Sequence, residues 1–141
     1  MDAALKIAFA TTDQQHVDQH FGSCEALVVY LVTPCETHFH EVVAFQKAAQ
    51  DGNEDKLQVR VEALQDCAAV YCRAIGASAI AQLKKVGVQP LKVPPDTPIK
   101  AQLMRLRKDL SDNPPFWAVR ALDESKDTGR FDDMEQEGWS E

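Results

Sequence analysis

Leu5 to Thr11 (LKIAFAT) restricts the fold more than any other stretch of the chain. It is nearly all apolar, broken only by Lys6, which is the pattern of a central strand buried on both faces. A strand of that kind needs neighbours on either side and cover above and below. The rest of the chain supplies both. Ala26 to Val32, rich in Val, Leu and Tyr, predicts a second strand. Thr33 to Thr37 contains Pro34 and reads as a hairpin turn. His38 to Phe45 predicts a third strand, so the first three form an antiparallel meander.

Gln50 to Asn53 is the next break. Asn53 is placed to cap a helix over Glu54 to Gln65, with Glu54 and Asp55 at its positive end and Leu57, Val61 and Leu64 on one face. Cys67 to Cys72 is short and apolar, a fourth strand. Gly76 opens a second helix, which Lys84, Lys85 and then Gly87 close. Val88 to Val93 predicts a fifth strand, and Pro94 to Asp96 a turn. Thr97 reads as a cap, with Pro98 at the first helical position. Ile99, Leu103, Leu106 and Leu110 stripe a third helix. Phe116 to Val119 predicts a short apolar clamp against the body. From Asp123 the chain turns acidic and polar. The expected organisation is one α/β domain over residues 1–122 and a loosely ordered tail over 123–141, with one helical turn near Phe131 to Met134.

A chain of 141 residues can bury a sizeable core. Its formal net charge of −7 argues against a nucleic-acid partner, which needs clustered Lys and Arg. No apolar run approaches the ~20 residues that cross a bilayer, so no membrane contact is expected. The first residues lack a signal-peptide layout, and the expected location is the cytoplasm. Cys24, Cys35, Cys67 and Cys72 are then expected as thiols, not disulfides, and their spacing matches no zinc pattern.

The order β-β-β-α-β-α-β-α predicts a mixed sheet with helices on its faces. Strand direction then sorts the reactive side chains. If the fourth strand lies beside the first, away from the second, the connection reverses there, and ligands favour the crevice at such a switch point. His16, His20, Cys24, Cys72 and the helix opening at Gly76 share that end. Cys35, Cys67, His38 and His40 fall at the other end and read as structural. Imidazole and thiolate donors suit iron, zinc and iron–sulfur species. The helix N-terminus offers N–H groups to an anion, and Arg73 adds a positive charge. Each residue has a plainer reading. His20 braces its loop, Gly22 makes the turn, Cys24 enters a strand, His16 is a solvated histidine, and Asp18 accepts loop hydrogen bonds.

The pattern Asp18-Gln19-His20-Phe21-Gly22 after the first strand, AVYCRAIGASA over Ala69 to Ala79, and GVQPLKV over Gly87 to Val93 resemble the dinitrogenase iron–molybdenum cofactor biosynthesis family. Asp51 to Leu57 and the tail from Arg130 to Trp139 extend the match over nearly the whole chain. The resemblance implies a three-layer α/β/α ribonuclease H-like fold, with a five-stranded mixed sheet of order 3-2-1-4-5 and strand 2 antiparallel. It implies a nitrogen-fixation accessory protein that catalyses nothing. Such a protein holds an iron–sulfur precursor of the cofactor, or the finished cofactor, between synthesis and insertion. Its partners would be the precursor-synthesising enzyme and the scaffold complex. The family's cluster-binding histidine falls on His20, with Phe21 and Gly22 in the same motif. Cys24, Cys72, Arg73 and Gly76 join it by position, which makes His20, Cys24 and Cys72 the expected metal ligands.

Two other functions have sequence arguments. A ribonuclease H-like scaffold invites a two-metal nuclease, but that chemistry needs carboxylates near the central strand, and the first strand carries none. A docking or regulatory protein that binds no cluster would use the acidic tail and Trp139 as its contact.

Overall fold

A computed structural model describes residues 4–45 and 53–122 of the chain. The central strand β1 spans Leu5–Ala10. After a short strand β2 (His16–Val17) and a 3-10 turn (Phe21–Ser23), β3 runs over Ala26–Val32 and β4 over Thr37–Ala44. Helix α1 (Asn53–Ala63) leads to β5 (Ala69–Cys72), α2 (Ala77–Lys85) and β6 (Gln89–Lys92). A two-residue strand β7 (Thr97–Pro98) precedes α3 (Ile99–Asp112).

Five strands form one mixed sheet in the order β4-β3-β1-β5-β6. β1 pairs antiparallel with β3 and parallel with β5, so the chain reverses direction across the sheet at β1. A register shift between Val29 and Tyr30 leaves His40 of the outer strand β4 without an opposite residue, a bulge.

Alternation along the strands builds two cores. Leu5, Ile7, Phe9, Val28, Val32, Ala69 and Tyr71 face α3, meeting its stripe of Ile99, Leu103, Leu106 and Leu110. Ala8, Ala10, Leu27, Val29, Val70 and Cys72 face α1 and α2, meeting Val61, Leu64, Ala79 and Leu83. A strand covered on both sides has no polar alternation, which is why β1 and β5 read as continuous apolar runs. Trp117 and Ala118 pack into the α3-side core from a helical stretch over 116–122, the expected clamp, while Phe116 points outward.

Three expectations shift. Thr97 is no cap: its hydroxyl donates to the Pro94 carbonyl, Pro98 takes the cap position, and Ile99 begins α3. Its first amide is satisfied instead by the Gln15 carbonyl at 2.8 Å. The stretch after β1 is not all loop either, because β2 pairs with β7, His16 against Pro98 and Val17 against Thr97. Strands 4 and 5 begin later than expected, at Ala69 and Gln89. At the end of α2, Gly87 takes φ +84°, the left-handed residue that closes the helix. Asn53, expected to cap the first helix, is itself the first residue of α1; the break over 50–52 and the tail from 123 lie outside the described residues.

Candidate functional site

The loop from Thr11 to Glu25 crosses the end of β1 and carries both histidines. Its first half is fastened by one carboxylate. Asp13 accepts from the Gln15 and His16 amides, each at 2.8 Å, and lies 2.8 Å from Nδ1 of His16. The imidazole and these amides hold the Asp13 carboxyl well below its usual range, and the carboxylate in turn raises the imidazole above its ordinary value. His16 is therefore an ion-paired residue of the β2–β7 ribbon, not a loose solvated one. Asp18 accepts from the Thr12 amide at 2.9 Å and the Thr12 hydroxyl at 2.6 Å, the loop-bracing role its position suggested.

The second half is held by its backbone. His20 makes an isolated parallel bridge to Ala74, just beyond β5. The Phe21 amide donates to the Ala74 carbonyl and the Arg73 amide to the Gln19 carbonyl, both at 2.9 Å. The Phe21 ring is fully buried in the α1/α2 core. The backbone of His20 is thus fixed while its imidazole is exposed, with no hydrogen-bond partner among the described residues. Arg73 and Gly76 are exposed beside it, and no side chain caps the start of α2 at Gly76. Neither Gly22 nor Gly76 has positive φ, and an added Cβ at either would meet no atom within 4 Å. The fold does not demand glycine at these two positions; what their lack of a side chain leaves is open surface.

The thiols lie below this surface. Cys24 and Cys72 are both fully buried in the α1/α2 core. Burial pushes the Cys24 thiol up to about 11 and the Cys72 thiol up to about 12, and Cys72 donates to the Leu91 carbonyl at 3.7 Å. A thiol that stays protonated is a poor metal ligand. Among the described residues, no group of three His, Cys, Asp or Glu side chains is placed to hold a metal ion. The expected trio of His20, Cys24 and Cys72 therefore divides into one exposed donor and two buried thiols. Cys67 is buried too, and Cys35 is exposed at the opposite end, in the β3–β4 turn. There Arg107 of α3 donates to the Pro34 and Cys35 carbonyls.

Sequence reasoning missed Arg60. This residue of α1 is only 5% exposed, yet it is charged. Its Nε donates at 3.0 Å to the carbonyl of Cys24, which closes the 3-10 turn, and a second guanidinium nitrogen donates to the same oxygen. Its guanidinium lies 4.3 Å from the Phe45 ring centroid. The signal was present: Arg60 falls on the same helical face as Leu57, Val61 and Leu64, where a charge is out of place.

These features define a class: a three-layer α/β domain with an exposed imidazole at the rim where its mixed sheet reverses direction. A profile of the family described as "Dinitrogenase iron-molybdenum cofactor" matches residues 3–109. The Protein NifX of Azotobacter vinelandii is 44% identical over 139 residues, covering 97% of this chain and 88% of that protein. The Protein NifX of Klebsiella pneumoniae is 40% identical over 105 residues, covering 74% of this chain and 66% of that protein. In fold, the chain is similar to a Methanocaldococcus jannaschii protein solved under a provisional dinitrogenase description, with TM-score 0.54, 14% identity, and coverage of 78% of this chain and 93% of that one. The chain belongs to the dinitrogenase iron–molybdenum cofactor family. That membership places it in iron–molybdenum cofactor biosynthesis, within nitrogen fixation.

Proposed function

We propose that the chain binds an iron–sulfur precursor of the iron–molybdenum cofactor, or the finished cofactor, at the His20 rim. It carries this cargo from the precursor-synthesising enzyme to the scaffold complex in the cytoplasm, without chemistry on it. The observation that carries the reading is a single residue: an exposed imidazole with no internal partner, whose backbone is bridged to Ala74 where the sheet reverses direction. An imidazole is a competent ligand to cluster iron. Exposure suits release to a partner.

The precursor is an anion and the chain is acidic overall, so the rim must offset the charge locally. Arg73 and the uncapped amides at the start of α2 supply positive charge there. Gly22 and Gly76 leave room for a bulky cargo. Cys24 and Cys72 support this surface from beneath. As placed, they are too buried and too firmly protonated to join His20 as ligands. The reading takes the scaffold as ribonuclease H-like, which the mixed sheet with helices on both faces supports. A docking role fits the same chain through Phe116, which is 77% exposed.

The test is anaerobic titration with isolated precursor, followed by iron content and electron paramagnetic resonance. His20→Ala should weaken binding at least about tenfold, equivalent to ~1.4 kcal/mol, with an unchanged circular dichroism spectrum. Unchanged affinity in a folded variant removes His20 from the site. A wild-type chain that takes up no cluster leaves the docking role.

A further inference from the structure

A cleft of about 430 Å³ opens on the other face of the sheet, beside α3. It lies apart from the His20 rim, whose anchor Phe21 belongs to the α1/α2 side. Its inner surface is apolar: Tyr30, Ile99 and Leu103. The Tyr30 ring is set edge-on to both Phe9 and Phe39, with centroids 6.0 Å from each. Its mouth is polar, with Gln14, His16 and Lys100. The volume falls in the range of small-molecule pockets, and an apolar body with a few convergent polar groups is their usual make-up.

The mouth is held rigidly. The Gln14 amide donates to the Thr11 hydroxyl at 2.9 Å, and that hydroxyl donates to Asp13 at 3.2 Å. Asp13 then fixes the two following amides and the His16 ring. The Gln15 carbonyl is tied to the start of α3. Gln14 is kept at φ +63°, a left-handed conformation uncommon for a residue with a long side chain. Such strain persists only where surrounding contacts over-determine it, and it clusters at ligand clamps.

Charge selects the ligand. The His16 ring is already paired with Asp13. Among the residues lining the cleft, Lys100 is the cation with no carboxylate partner among the described residues, so its ammonium is left to meet an acid. We infer that this cleft binds a small organic acid, its apolar body against Tyr30 and Leu103 and its acid group beside Lys100. The inference is independent of the cargo reading at His20.

The full chain is titrated with anilinonaphthalene sulfonate, a probe with apolar rings and one sulfonate, and followed by fluorescence and by amide proton–nitrogen shifts. One saturable site is expected, with shifts concentrated at Gln14, Gln15, Tyr30 and Lys100. Lys100→Glu places an acid in the first turn of α3, where the helix dipole favours it, so the fold is retained. That variant should bind the probe at least about tenfold more weakly, as should wild type with the uncharged analogue phenylnaphthylamine. Shifts centred instead on the exposed Phe116, or an affinity for Lys100→Glu within twofold of wild type, overturn the assignment.

Discussion

The two halves of the β1–β3 loop are secured by opposite means. The His16 half is tied through side chains: Asp13 holds two amides and the imidazole, and the ring has no freedom left to meet a ligand through Nδ1. The His20 half is tied through its backbone and through the buried Phe21, so its imidazole stays uncommitted. A histidine four residues from another in the same loop is thereby a structural part in one case and an available donor in the other. What separates them is where the hydrogen bonds fall, which residue type alone does not reveal.

The largest test of this contrast removes the anchor of the second half. Phe21→Ala deletes a fully buried aromatic and should cost about 3–5 kcal/mol in urea denaturation. A loss below about 1 kcal/mol would mean that the His20 half does not hang on the core.

Next in size is the charge beneath the turn. Arg60→Met keeps the apolar stem but strips the Cys24 carbonyl of both donors, for an expected loss of about 1–3 kcal/mol. Cargo affinity should fall further than it does in a surface variant of equal stability, because the turn carrying His20 is loosened. Equal affinities would confine Arg60 to the fold.

The smallest effect belongs to the first half, whose groups are exposed. His16 should titrate above its ordinary 6.5 by nuclear magnetic resonance, and Asp13→Asn should lower it, since the Asp13 hydrogen bond is the largest cause of the rise. A histidine whose folded value is raised adds stability that is full below its unfolded value and lost as pH rises through the folded one. A depressed carboxylate adds stability above its unfolded value and loses it as pH falls through the folded one. The Asp13→Asn deficit should therefore be greatest between the ordinary values of 3.8 and 6.5, and shrink on either side. A deficit that stays level as pH rises above 6.5 would show that the amides, not the imidazole, make the contact that matters.

The elements built from local pattern were legible. β1 and β5 announce themselves as apolar runs interrupted only by Lys6, α3 by four residues at helical spacing that are all buried, and the end of α2 by Lys84, Lys85 and Gly87. The β2–β7 ribbon was not, because two-residue strands some eighty positions apart have no periodicity to detect. The site was legible in part. Assigning residues to one end of the sheet brought His20, Arg73 and Gly76 together. It left open the depth of the thiols, because an end of a sheet has an inside as well as a rim. Cys72 did carry a warning, since it stands two residues from Val70 in an apolar run and so shares that residue's inward face.

The supernumerary residue in β4 has a consequence for how the molecule lives among its own copies. An outermost strand with unsatisfied backbone groups invites a stranger to zip onto it, and a kink there spoils the fit. His40 supplies that kink. Crowded molecules of this protein would then pass one another without fusing their sheets, an indifference that suits the carrier role proposed above.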